Sequence, residues 1–367
     1  MTERHPDLCM MFSGGTDTTL AAARLLDENA CDRLHLLTFC NGICVRVDNS
    51  RIHADELKRM YGEGRITHEI IYVTDMFHAI RSPLGELIRT YNSTLVYDLC
   101  CRLSMESAAI LYAVGNGITG ICDGTNVDQG RLFLERPEYL RVSKAFFAEH
   151  GIDYFSPVYA KSGGRAGRRA ELVRRGFTTG PGFLERLNIT SCLFTQPFCM
   201  MAFHTFFFTS FLRNVPGLRG LIARHNLTVE KAIELRLDRQ HIARRLIQER
   251  LEFQRLASSG AAVRIQEHFC TTKLCGVNAV EIAFPRGTRI DLDALAAIWK
   301  GKGLASSRDG DVLRTTDDGV DLRVYPNGRI VLQGTRNRDQ AVSLFERRVA
   351  PHDVFRTGEA SAATKAG

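Results

Sequence analysis

Apolar positions follow two rhythms along this chain. In the first half, short unbroken apolar runs alternate with longer stretches in which apolar residues recur every three or four positions. Runs of the first kind, at residues 8–12, 34–39, 67–73 and 120–122, read as buried strands. Stretches of the second kind, at 18–27, 52–61 and 103–114, read as helices. Strands alternating with helices predict an α/β fold built on a doubly wound parallel sheet, with ligands at the carboxyl ends of its strands.

The second half changes character. Residues 180–258 read as wholly helical. Within them, 194–212 is the most apolar stretch of the chain, interrupted by Gln196, Pro197 and His204, and reads as a buried helix. Residues 229–257 are long, charged and periodic, with Leu235, Ile242, Leu246 and Leu251 on one side. A polar gap at 257–260 marks a boundary. Beyond it come a strand at 280–284, a helix at 292–300, a strand at 312–316, a hairpin over 322–332 turning at Pro326-Asn327-Gly328, and a helix at 340–348. That is a small α+β domain. The expected division is a nucleotide-binding domain at 1–180, a helical segment at 181–258, the α+β domain at 259–350, and a disordered tail at 351–367 rich in Ala, Gly, Thr and Ser.

Composition narrows the class. The chain has 367 residues, 44% hydrophobic and 24% charged, as in a globular protein with a sizeable core. No apolar run approaches the roughly 20 residues that cross a bilayer. The first residues, Thr2-Glu3-Arg4-His5, lack a signal-peptide pattern, so a cytoplasmic protein is expected. Eleven scattered cysteines, an odd number, argue against a secreted disulfide framework. In a reducing compartment such thiols are buried, bind metal, or handle sulfur. A net charge of +7 favours anionic partners such as nucleotides or RNA. Arg165, Arg168, Arg169, Arg174 and Arg175 concentrate part of it, either as a solvated helix face or as a binding surface.

The chemistry is sharpest near the N-terminus. A strand runs into Ser13-Gly14-Gly15-Thr16-Asp17-Thr18, and a helix follows. Glycines let the backbone turn tightly and approach a ligand closely. Successive N–H groups at a helix start form an anion-binding nest. Ser13 and Thr18 offer hydroxyls to phosphate oxygens, while Asp17 orders the loop or helps hold a magnesium ion. The chain has no Gly-Lys-Ser/Thr phosphate loop, which argues against γ-phosphate transfer.

This loop resembles the signature of the PP-loop ATP pyrophosphatases, the adenine nucleotide α-hydrolase-like (HUP) superfamily with a Rossmann-like fold. The resemblance implies ATP and Mg2+ as ligands, transfer of AMP to a substrate oxygen with loss of pyrophosphate, and displacement of AMP by ammonia or sulfur. A second segment, Asp123-Gly124-Thr125-Asn126-Val127-Asp128, follows a short apolar strand. It resembles a stretch in the sulfur transferase that builds the lactate-racemase nickel cofactor. So do Ser156-Pro157-Val158 with Lys161, and Ser191-Cys192-Leu193, whose cysteine the resemblance makes a supplier or carrier of sulfur. The helix starting at Cys100-Cys101-Arg102 is similar to one in tRNA thiouridine synthases. The likeness covers about residues 7–200.

Sulfur chemistry needs a thiolate or a persulfide. Cys192 is the first candidate by its match, followed by Cys100, Cys101 and Cys199. The same four are the candidate ligands of an iron–sulfur cluster, for which thiolates are suited. Cys9, Cys31, Cys40, Cys44 and Cys122 read as small buried hydrophobes. Cys270 and Cys275, near His268, form a weaker candidate metal site, and His204 reads as a core histidine.

The expectation is an ATP-dependent sulfur transferase. Its acceptor is a tRNA or a small molecule, a donor protein such as a cysteine desulfurase supplies sulfur, and the chain forms a homo-oligomer. The alternatives are an amide-forming ligase using ammonia and a non-catalytic nucleotide- or RNA-binding protein.

Overall fold

In the computed structural model, the described residues are 4–126, 133–159, 164–179, 197–199, 227–258, 270–273, 278–284 and 288–357. The chain divides into two compact units, Met1–Gln248 and Glu249–Gly367.

The first unit is built on β1 (His5–Met11), β2 (Cys31–Cys40), a two-residue β3 (Cys44–Val45), β4 (Ile66–Tyr72), β5 (Gly120–Asp123) and β6 (Asp153–Phe155). Five of these form one sheet in the order β4-β2-β1-β5-β6, every pair parallel. Side chains alternate across it. Leu8, Met10, Leu34 and Leu36 point into a core with α1 (Thr16–Asp27), α2 (Ser50–Tyr61) and Leu172. His35, between Leu34 and Leu36, points the other way, where its Nδ1 lies 3.0 Å from the Tyr112 hydroxyl. The unit is thus a doubly wound, Rossmann-like α/β fold with helices on both faces, as the alternating pattern predicts. The chain runs from β1 outward through β2 to β4, then returns to β5 beside β1. That reversal opens a crevice at the carboxyl ends of β1 and β5.

Between β4 and β5 lie α3 (Thr74–Ile80), α4 (Leu84–Tyr91) and α5 (Val96–Gly115). Helices α6 (Pro137–Ala148) and α7 (Gly164–Arg174) flank β6. The periodic segment at 229–257 is one helix, α8 (Val229–Ser258), which runs across the division between the units. The boundary therefore falls inside a helix and not at the polar gap after it. Most of the remaining stretch expected to be helical lies outside the described residues. The part that is described, β7 (Phe198–Cys199), is a strand paired antiparallel to β3, and not part of a helix.

The second unit holds an antiparallel sheet of β8 (Cys270–Lys273), β9 (Ala279–Ala283), β11 (Ser306–Asp309), β12 (Val312–Asp317), β13 (Val320–Val324) and β14 (Ile330–Gln333), in the order β11-β12-β13-β14-β9-β8. Helices α9 (Leu292–Gly301) and α10 (Arg338–Arg348) share its core through Trp299 and Phe345. Trp299 Nε1 donates to the Arg348 carbonyl at 2.8 Å. The expected hairpin is present, with Gly328 at φ +82 in its turn. The expected tail begins later than the sequence suggests: β15 (Phe355–Thr357) pairs with β10 (Thr288–Ile290), since Val354 and Phe355 are buried. Among the described residues, no helix is long and apolar enough to cross a membrane.

One polar feature inside the first unit is costly to break. Arg236 of α8 and Glu106 of α5 are both fully buried and meet at 2.6 Å. Arg236 also donates to the Tyr139 hydroxyl at 3.0 Å and lies over the Tyr139 and Phe146 rings. Removing one partner of such a pair strands a buried charge, at a cost of about 3–5 kcal/mol. Arg236→Met is expected to lose that much in urea denaturation. A loss below about 1 kcal/mol would show the pair to be solvated.

Candidate functional site: a phosphate loop beside a thiol basin

The turn from β1 into α1 carries the glycine-rich motif. Gly14 has φ +70, which suits glycine, and Gly15 caps α1 in an extended conformation. The first helical bond runs from Thr19 N–H to the Gly15 carbonyl, so the amides of Thr16, Asp17 and Thr18 come before the intrahelical ladder. Ser13 Oγ accepts from the Gly15 amide at 3.2 Å, and Thr18 Oγ1 donates to the Gly15 carbonyl at 3.2 Å. The two hydroxyls lie 3.2 Å apart. The arrangement has the form of a backbone nest, with hydroxyls at its rim.

Neighbouring elements fix the loop. His53 of α2, buried, has Nδ1 2.7 Å from the Gly14 carbonyl and Nε2 2.8 Å from the Thr178 carbonyl. Glu56, one turn on, accepts from the Thr178 amide and hydroxyl. Thr38 Oγ1 donates to the Phe12 carbonyl at 2.8 Å. Both oxygens of Asp17 are engaged: Oδ1 by Arg168 Nε at 2.5 Å, and Oδ2 by Asn126 Nδ2 at 3.1 Å. The geometry favours the loop-ordering role of Asp17. Arg168 is buried, so the arginine cluster is not simply a solvated face.

The second motif stands where the sheet order reverses. Asp123, the last residue of β5, is in register with Met11, the last of β1. A Cβ on Gly124 would lie 2.7 Å from the Thr18 backbone nitrogen, so only glycine allows this segment to lie against the first turn of α1. Ser156 Oγ donates to the Thr125 carbonyl at 2.5 Å. Asp123 itself faces inward and accepts from Arg102 at 2.6 Å, Tyr154 at 2.7 Å and Thr125 Oγ1 at 2.7 Å. Burial pushes its carboxyl up, but Arg102 outweighs that together with the bonds from Tyr154 and Thr125, and the net shift is downward. Asp123 therefore anchors the segment, and Arg102 is its counter-ion.

Two buried atoms beside this segment lack protein partners, Asn126 Oδ1 and Glu135 Oε2. Burial pushes the Glu135 carboxyl up to about 7, with Asp123 and Asp17 adding to the shift. Asp128, Lys161, Ser191 and Cys192 lie outside the described residues.

The cysteines sort by position. Cys9, Cys31 and Cys122 are buried in the sheet. Cys100 is fully buried in α5, and burial pushes its thiol up to about 12. Cys101, the next residue around the helix, points elsewhere: Asn41 Nδ2 lies 3.1 Å from its sulfur. Asn41 Oδ1 lies 3.3 Å from the Cys44 sulfur. Cys44 is the register partner of Cys199 across β3 and β7, and its own thiol donates to Asn41 Oδ1. Asn41, just past the carboxyl end of β2, thus lies between Cys101 and Cys44; Cys40 precedes it in the chain and Cys199 stands across from Cys44, and β2 neighbours the strand that carries the glycine-rich loop. Cys101 and Cys199 were expected, with Cys100 and Cys192, as sulfur-handling or cluster residues. Cys40 and Cys44 were expected to be core, and the signal for them was their spacing across a glycine-bearing turn at a strand end. Among the described residues, no three histidine, cysteine, aspartate or glutamate side chains are arranged to hold a metal ion. The candidate set at His268, Cys270 and Cys275 lies outside the described side chains. Nothing in the motifs marked His53, Glu56, Tyr154 or Glu135.

No protein-family model matches the chain, and no curated protein matches it. Two solved structures are similar in part. One is a predicted subunit of tRNA methyltransferase from Methanocaldococcus jannaschii, at 18% identity and TM-score 0.30, covering 46% of this chain and 74% of that one. The other is the U34-tRNA thiolase NcsA from Methanococcus maripaludis with its 4Fe–4S cluster, at 15% identity and TM-score 0.34, covering 48% of this chain and 60% of that one.

Two outcomes follow from this geometry. Gly124→Ala is expected to lower stability by about 1–3 kcal/mol through overpacking. Unchanged melting would show that the two segments are not in contact. The Glu135 carboxyl is raised from its usual value near 4.5, so below that value its proton costs nothing. Stability falls as pH rises from about 4.5 to about 7 and is level above, by roughly 3 kcal/mol in all. Glu135→Gln is expected to flatten that decline in denaturant titrations across pH.

Proposed function

We propose that the protein activates an acceptor with ATP, releasing pyrophosphate, and then installs sulfur in place of AMP. The observation that carries this reading is the placement of an anion-binding loop and four thiols at the carboxyl edge of the same parallel sheet.

The loop supplies backbone N–H groups and two hydroxyls for a polyphosphate, and its own sequence has no lysine to seize a γ-phosphate. Its resemblance to the PP-loop signature assigns cleavage between the α- and β-phosphates. The acceptor oxygen attacks the α-phosphorus and pyrophosphate leaves, with magnesium entering on the nucleotide. Sulfur then attacks the carbon that bears the adenylate, and AMP departs. Cys40 and the turn that follows it lie at the end of β2, the strand next to the one that carries the loop. The positive net charge suits a polyanionic acceptor such as a tRNA, with small carboxylates the other class to try.

The test uses ATP labelled at the α-phosphate, with tRNA and small-carboxylate pools as acceptors. AMP and pyrophosphate in equal amounts, with sulfur in the acceptor, is the expected result. ADP with orthophosphate would overturn the reading. A chain with Cys40, Cys44, Cys101 and Cys199 all changed to Ser is expected to lose sulfur incorporation. If it instead forms amides from ammonia at the wild-type rate, the protein is a ligase.

A further inference from the structure

His53 of α2 is buried, and each of its ring nitrogens faces a peptide carbonyl. Nδ1 lies 2.7 Å from the Gly14 oxygen, and Nε2 lies 2.8 Å from the Thr178 oxygen. A carbonyl oxygen can only accept, and a neutral imidazole carries a single N–H. Two such contacts on one ring therefore call for two N–H donors, which is the imidazolium form. A counter-ion is in place. Glu56, also buried, has Oε2 3.8 Å from His53 Nε2. Its carboxylate is oriented by the Thr178 amide, 3.1 and 3.2 Å from the two oxygens, and by the Thr178 hydroxyl. Also against the ring are the Thr19 hydroxyl, 2.9 Å from Nδ1, and the Phe177 ring, edge-on at 6.0 Å. Arg59 stands on the far side of Glu56, 3.9 Å from Oε1.

The contact with Gly14 decides where the next amide points. The Gly14–Gly15 peptide is trans, so its C=O and N–H point in opposite directions. With the oxygen drawn back to His53, the Gly15 N–H is turned toward the Ser13 hydroxyl, which accepts from it at 3.2 Å beside Thr18 Oγ1. Both residues of this peptide are glycines, and Gly14 sits at φ +70, so no side chain opposes a flip of the peptide. A flipped peptide would set its carbonyl oxygen where an anion needs a donor. We propose that His53 is the positioning residue of the glycine-rich loop: as an imidazolium it holds the Gly14 carbonyl back, so that the Gly15 N–H stays aimed at a polyphosphate. This rests on the polyphosphate reading of the loop above. The ring's charge is matched by Glu56, so its effect on the ligand is carried by the peptide it orients. Through Nε2 the same ring fastens the loop to Thr178, just after α7.

The sequence makes this peptide observable. Gly-Gly occurs at 14–15 and at 163–164, so full-length protein with isotope-labelled glycine carbonyls and amides gives two carbonyl–amide pairs by NMR, and Gly163→Ala identifies the first. With histidine rings labelled as well, wild type is expected to show a coupling across a hydrogen bond from a histidine nitrogen to the Gly14 carbonyl, with both nitrogens of that ring protonated. This part needs no ligand and no change at His53. Calorimetric titration with inorganic pyrophosphate is the second part. His53→Gln is expected to bind it roughly tenfold more weakly or worse, as for the loss of one charged hydrogen bond, and to shift the Gly14 carbonyl signal. Phe177→Leu loosens packing on the same ring but removes no hydrogen bond, and is expected to keep the affinity within about twofold. A ring with one bare nitrogen, an unchanged affinity or Gly14 carbonyl in His53→Gln, or an equal loss in Phe177→Leu would each overturn the proposal alone. Wild type that binds neither pyrophosphate nor ATP would overturn the polyphosphate reading, and this proposal with it.

Discussion

The first unit depends on a line of alternating charges buried beneath its crevice. Thr125 and Tyr154 donate to Asp123, Asp123 accepts from Arg102, Arg102 reaches Glu106, and Glu106 meets Arg236. Each carboxylate lies between donors, and each guanidinium finds more than one acceptor. Burial of any one of these groups alone is strongly unfavourable, because an unpaired ion in a low-dielectric interior loses its hydration without compensation. Together they tie the end of β5 to α5, and α5 to α8. The segment that follows β5 thus takes its position from buried groups beneath it.

The crevice and the basin are joined by the same logic of close approach. Glycine at 124 lets one strand end lie against α1, and glycine at 42 lets another double back on itself. In both places a missing side chain lets backbone pack where a Cβ would collide. Asn41 links the second arrangement to α5, since its amide faces Cys101 on one side and Cys44 on the other. Helix α5 therefore takes part in both centres, through Arg102 below the crevice and Cys101 in the basin.

Much of the fold was legible in the sequence because its signals are local. Continuous apolar runs gave β1, β2, β4 and β5 to within a few residues, and the Asn-Gly turn gave the hairpin of the second unit. The loop Ser13–Thr18 was legible for the same reason. What could not be read depends on residues far apart in the chain. Arg168 meets Asp17, and Glu56 meets Thr178, across more than a hundred residues. Cys40 and Cys44 looked like core because a cysteine in an apolar strand is usually that. Their role as neighbours of Cys199 exists only once β3 and β7 pair. Asp123 misled in the opposite sense: it sits in a ligand-binding motif, yet its carboxylate is turned inward.

The clamp on Asp17 bears on turnover. An acid within an anion-binding loop would repel a triphosphate, and Arg168 cancels that charge. The cancelling arginine is buried against the acid, so the loop meets its ligand with peptide dipoles and hydroxyls and without a net cation of its own. Dipoles hold a diphosphate firmly at contact and weakly a short distance away, because their field decays faster than that of a full charge. On the proposed reading, a leaving pyrophosphate that shifts by a few ångströms is then quickly free, and the loop is cleared for the next nucleotide.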